Sequence, residues 1–129
     1  MAGTDVRLGP IGQIHVTVTD VDRATAFYRD ALGIPFLFGY PGMAFFDCDG
    51  VRLFLGPAEN EQFAGRATLY FRVDDIGAAV EALEERGVVF GQPPQVVHRT
   101  DSSALWMCFT QDPDGNNIGL MSEVPSAAS

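Results

Sequence analysis

Few side chains in this 129-residue chain can carry chemistry. There are two histidines, His15 and His98, and two cysteines, Cys48 and Cys108. An imidazole titrates near neutrality, so each histidine is a candidate for moving protons or ligating a metal. The plainer alternatives are a cleft-lining hydrogen-bonder for His15 and an edge-strand surface residue for His98. Arg52 and Arg72 can anchor a carboxylate or phosphate through a planar fork, or simply pair with the abundant acids. Phe54 and Tyr70 are candidates for an aromatic wall, and Trp106 is a third ring whose face the sequence leaves open. Both cysteines sit in apolar runs and are expected as buried thiols rather than a disulfide. No phosphate-cradling glycine loop, paired-cysteine metal motif or nucleophilic serine elbow occurs.

The elements that must position these groups follow from periodicity. From Ile11 to Thr19, Ile14, Val16 and Val18 alternate with Gln13, His15, Thr17 and Thr19, the pattern of a half-buried strand. Asp20 caps a helix with apolar Ala24, Phe27, Tyr28 and Leu32, ending near Gly33. Strands are expected over Pro35–Gly39, Met43–Cys48 and Val51–Leu55, the last two joined by an Asp49-Gly50 turn. Residues 56–66 lack a period and form a linker. The pattern then repeats. Leu69, Phe71 and Val73 alternate with Thr68, Tyr70 and Arg72, Asp75 opens a helix through Val80 and Leu83 to Gly87, and strands follow over Val96–Arg99, Ala104–Thr110 and Asn117–Ser122. Superposing Asp75 on Asp20 places Thr68 on Gln13 and Tyr70 on His15. The apolar residues should pack under the helices, turning Gln13, His15, Thr17, Arg52, Phe54, Thr68, Tyr70, Arg72, Asn117, Gly119 and Met121 to the opposite face.

The class is therefore α+β: one domain over 1–129, made of two βαβββ modules (11–55 and 67–124) in a pseudo-symmetric pair, with a mobile tail expected over 125–129. Eight basic residues against seventeen acidic ones give net charge −9. That balance repels a polyphosphate backbone and argues against a nucleic-acid partner. No apolar run is long enough to cross a bilayer, and Met1–Pro10 lacks a basic segment followed by an apolar one, so a cytoplasmic location is expected.

The paired modules, the run Asp20-Val21-Asp22-Arg23-Ala24 leading into Phe27-Tyr28-Arg29-Asp30-Ala31-Leu32-Gly33, and the late Asp112-Pro113-Asp114-Gly115-Asn116 together resemble the vicinal oxygen chelate superfamily. This is the group of glyoxalase I, bleomycin-resistance proteins and extradiol dioxygenases. The resemblance spans 11–124 and implies curled mixed sheets around a cleft and a homodimer. It also places the superfamily's four metal-ligand positions at Gln13, Phe54, Thr68 and Gly119. Only Gln13 offers a customary donor there, and no carboxylate offsets the charge of an ion. No cofactor is expected, and a divalent metal is the disfavoured alternative.

The leading expectation is a metal-free module that binds a small organic molecule between the modules. Its ligand-binding candidates are Gln13, His15, Arg52, Phe54, Thr68, Tyr70, Arg72 and Gly119. The alternative is a lyase or isomerase, glyoxalase- or epimerase-like, using Gln13 and His15 and possibly His98. A third is a non-catalytic partner subunit whose cleft is filled by its own side chains. No motif in the sequence singles out a reaction or a ligand. The acidic surface hints at a cationic or neutral one.

Overall fold

A computed structural model describes residues 6–125. The expected tail lies, beyond Pro125, outside the described residues, as do residues 1–5 of the N-terminal segment. Two four-stranded mixed sheets form, each with the same strand order. The first comprises β1 (Gln13–Thr17), β2 (Phe36–Tyr40), β3 (Met43–Cys48) and β4 (Val51–Gly56), ordered β1-β4-β3-β2. The second comprises β5 (Thr68–Arg72), β6 (Gln95–Arg99), β7 (Ser103–Gln111) and β8 (Asn117–Pro125), ordered β5-β8-β7-β6. In each sheet the first and last strands pair in parallel and the others antiparallel.

Each module's helix lies over one face of its sheet, which makes that face the core. Helix α1 (Val21–Thr25) continues as a wider-wound turn over Ala26–Ala31, and α2 spans Ile76–Glu85. Both start as the repeat requires. Asp20 accepts from the Arg23 N–H at 3.1 Å and Asp75 from the Ala78 N–H at 3.0 Å. Such caps contribute about 1 kcal/mol each. Beneath α1 lie Val16, Val18, Ala44, Phe46, Leu53 and Leu55, and α2 sets its own Ile76, Val80 and Leu83 against Cys108 and Leu120. Trp106, paired with Val96 and Ser122, also packs against the α2 core. That settles its face and removes it from any aromatic wall. The half-buried Phe27 and Phe71 touch both cores, so the modules share one apolar interior.

A polar latch closes the same junction. The turn between β7 and β8 buries Asp112 and Asn116. Asp112 accepts the Tyr28 hydroxyl at 2.7 Å, the Asn116 side-chain amide at 2.8 Å and the Asp114 and Asn116 N–H groups at 2.9 Å. Asn116 donates onward to the Thr17 carbonyl at 3.1 Å and accepts from the Ala67 N–H at 2.7 Å. Asp114 accepts from both the backbone and hydroxyl of Thr19. The Asp-Pro-Asp-Gly-Asn run is thus more than a hairpin turn: it ties the second module to β1 and α1 of the first.

Candidate functional site

With the helices covering one face of each sheet, the other face is open, and strand register decides what stands on it. In the first sheet Gln13 sits beside Arg52 and His15 beside Phe54. Phe54 pairs in turn with Phe45, and Phe45 with Phe38. The result is a row of four rings running strand to strand. His15 stacks on Phe54 with centroids 4.3 Å apart, Phe54 on Phe45 at 4.9 Å, and Phe45 on Phe38 at 4.7 Å, with interplanar angles of 20°, 11° and 27°. These spacings match the distance between neighbouring strands, so the rings stack along the sheet and turn their edges outward. The 8% exposure of Phe45 and Phe54 fits that arrangement. Each stacked pair is worth about 0.5–1.5 kcal/mol beyond the area buried. Tyr40 meets Phe38 edge-on at the outer end.

At the inner end His15 is fixed by more than stacking. Its Nε2 lies 3.1 Å from the Gly56 carbonyl and donates to it, which in the neutral ring leaves the lone pair on Nδ1. The ring is thereby held as a hydrogen-bond donor to the backbone of β4. The Arg52 guanidinium lies 5.8 Å from the Phe38 centroid and 5.9 Å from that of Phe45. Its cross-strand neighbour Asp47 instead accepts from the Gly50 N–H at 2.9 Å, capping the Asp49-Gly50 turn. Neither Arg52 nor Arg72 forms an ion pair among the described residues, against the expectation that the abundant acids would claim them.

The second sheet carries the pseudo-symmetric row with a gap. Tyr70, Gly119 and Phe109 stand in register, and with no side chain at Gly119 the two rings meet across it, edge to face at 5.8 Å. Thr68 accepts a hydrogen bond from the Asn117 side-chain amide. His98, opposite Leu105, is exposed.

The four positions at which related proteins hold a divalent ion therefore do not fit one. Phe54 is locked inside the ring row, and the Thr68 hydroxyl already bonds Asn117. At Gly119 even a Cβ would stand 2.7 Å from the Phe109 ring and 3.1 Å from that of Tyr70. Gln13 alone keeps a free oxygen donor, and one neutral amide cannot hold a divalent cation.

The candidate residues gather into two half-sites: Gln13, His15, Arg52 and Phe54 on the first sheet, and Thr68, Tyr70, Arg72 and Gly119 on the second. Among the described residues of one chain they are not closed around one cavity. A cavity between the modules, about 920 Å³, takes Thr68, Tyr70 and Arg72 from the second sheet but Ile14, Ile34, Cys48 and Asp49 from the first module. His15 and His98 remain on separate sheets, and neither lines it. Sequence reasoning missed Phe38, Phe45 and Phe109. The tight Asp49-Gly50 turn, pairing Cys48 with Val51, was the signal that sets Phe45 beside Phe54.

Residues 10–120 match the family model of the Glyoxalase/Bleomycin resistance protein/Dioxygenase superfamily. The chain belongs to that superfamily. As a superfamily member it departs from the metal-dependent pattern at three of the four ligand positions. Among solved structures it is similar to a lactoylglutathione lyase from Agrobacterium tumefaciens, at 21% identity over 90% of this chain and 95% of that one with TM-score 0.72. It is similar to a superfamily member from Sphaerobacter thermophilus, at 25% identity over 89% and 98% with TM-score 0.73. It is also similar to TnmS3, an antibiotic binding protein from Streptomyces sp. CB03234, at 27% identity over 94% and 99% with TM-score 0.71. No curated protein sequence matches it. Among the described residues no helix is long and apolar enough to cross a membrane.

Proposed function

We propose that this superfamily member binds a small organic molecule on the open faces of its sheets, without a metal at the superfamily's customary positions, as a cytoplasmic homodimer. One observation carries the reading: four stacked rings, ending at a histidine pinned to a backbone carbonyl, line an open sheet face. Phe38 and Tyr40, exposed at the outer end of the row, give that face an apolar surface of the kind that binds a ligand, with the buried Phe45 and Phe54 as its support. The similarity to an antibiotic binding protein supports a binding role.

The dimer follows from the divided site. Tyr40 is 61% exposed and Tyr70 53% exposed, and both belong to open faces that no element among the described residues covers. A second copy that sets its second sheet over the first sheet of its partner buries both and encloses the half-sites. Thermal-shift screening of a metabolite and antibiotic library, followed by calorimetric titration, tests the reading. Binding with one site per chain, weakened by Phe45→Leu, is expected; a library without a single stabilising compound counts against it.

The uncommitted Nδ1 of His15 supports a second reading, metal-free lyase or isomerase chemistry with this nitrogen as proton acceptor. Turnover of a bound compound, lost in His15→Gln while binding persists, would establish it.

A further inference from the structure

We infer, building on the binding reading above, that the ligand is a fused-ring aromatic anion, its rings lying across the ladder of Phe38, Phe45 and Phe54 and its carboxylate or phenolate oxygen held by Arg52. Three observations on the first sheet carry this further step.

The first is the direction of the rings. Because they stack from strand to strand, the cleft meets their edges, and the hydrogens at a ring's edge carry partial positive charge. Edges of that kind favour the π-face of a flat molecule laid over them. The row crosses four strands, a span of roughly 14 Å at the ordinary strand spacing. That length suits several fused rings rather than one.

The second is an unclaimed cation. The chain carries net charge −9, and its eight basic residues are all arginines. Arg23 and Arg29 pair with Asp114 and Asp30. Arg52, on an exposed position of the open face, pairs with no carboxylate among the described residues although Asp47 stands directly across from it. Asp47 is turned away by its bond to the Gly50 N–H. Astride the Phe38–Phe45 pair, the guanidinium keeps its planar fork free for a carboxylate.

The third is the neighbour of Arg52. Gln13 lies beside it in register and is exposed, so its amide can donate to the second oxygen of the same anion. Local charge at the site therefore opposes the overall acidity, and an anionic ligand replaces the cationic or neutral one hinted at by total charge.

Four probes on the wild-type protein separate the elements of this claim: naphthoate, its methyl ester, naphthylmethylammonium and decalin carboxylate, each titrated by calorimetry. Naphthoate is expected to bind about tenfold tighter than the ester, the ammonium or the saturated acid. Arg52→Gln should lower naphthoate affinity about tenfold, toward that of the ester. Phe38→Leu, at a partly exposed position that tolerates the change, should narrow the gap between naphthoate and decalin carboxylate. An ester or ammonium that binds as tightly as the acid overturns the anion anchor and leaves the cleft reading standing. Equal binding of decalin carboxylate overturns the flat-ligand claim alone. If none of the four binds at millimolar concentration, this inference falls, while the cleft reading falls only if the library screen also yields no stabilising compound.

Discussion

The Tyr28 hydroxyl donates a 2.7 Å hydrogen bond to Asp112 Oδ2, joining the first module's helix to the last turn of the second across 84 residues of sequence. Tyr28 is wholly buried and Asp112 is 5% exposed, so the bond is shielded from water and its loss removes one of the donors on a buried carboxylate. Tyr28→Phe keeps the ring and removes only the donor. Because Asn116 and two backbone N–H groups still serve Asp112, the expected cost is about 1–3 kcal/mol in urea denaturation. Asp112→Ala, which removes the acceptor of the Tyr28 hydroxyl, of one Asn116 amide hydrogen and of two backbone N–H groups, should cost more. Equal effects from the two variants would show that the bond, not the network, holds the latch.

Alkaline pH provides a second check. Burial, reinforced by the hydrogen bond to Asp112 and its charge, pushes the Tyr28 hydroxyl far above the ordinary 10.0. Burial likewise raises both cysteine thiols above 9.0. For all three groups the folded state holds its proton where the unfolded chain has lost it, so their contribution is complete below the unfolded values and declines as pH rises past them. Stability is therefore expected to fall from about pH 9 and more steeply above pH 10. Tyr28→Phe should remove the steeper part. A profile unchanged in that variant would contradict the assignment.

Gly56 and Gly119 both lie under aromatic rings, yet they should differ in tolerance. A Cβ at Gly56 would stand 2.9 Å from the Phe54 ring, and one at Gly119 would stand 2.7 Å from the Phe109 ring. Phe54 is held between His15 and Phe45 and has nowhere to go, whereas Phe109 is 42% exposed and can swing outward. Gly56→Ala is expected to cost about 1–3 kcal/mol and Gly119→Ala less, compared by thermal unfolding. The reverse order would mean that the ring row is looser than the stacking implies.

Metal content measured by mass spectrometry, on protein purified without added metal or a histidine tag, is expected to be far below one equivalent. One equivalent of a transition metal that disappears in Gln13→Ala or His15→Ala would overturn the metal-free reading.

Light scattering during gel filtration is expected to give twice the 13.9 kDa chain mass. Tyr40→Asp should shift the protein to monomer and weaken ligand binding along with it. A monomeric wild type that still binds ligand would show that one chain's open face suffices.

Alternation, the two capping aspartates and the repeat itself made both modules legible in the chain, because local periodicity dictates which strands and helices form. The side of the sheet taken by Gln13, His15, Arg52, Phe54, Thr68, Tyr70, Arg72 and Gly119 followed from the same parity. Parity fails where a strand carries an extra residue. In β2 a bulge at Leu37 sets Phe36 opposite Phe46 on the helix side and Phe38 opposite Phe45 on the open side. Strict alternation puts both rings on one face, so only the folded sheet completes the ladder. The same irregularity in β6 parts His98 from Val96. The Asp112–Asn116 turn was visible as a turn, but its role as a latch depends on Tyr28, Thr17 and Ala67, which only the packing of one module on the other brings within hydrogen-bonding distance.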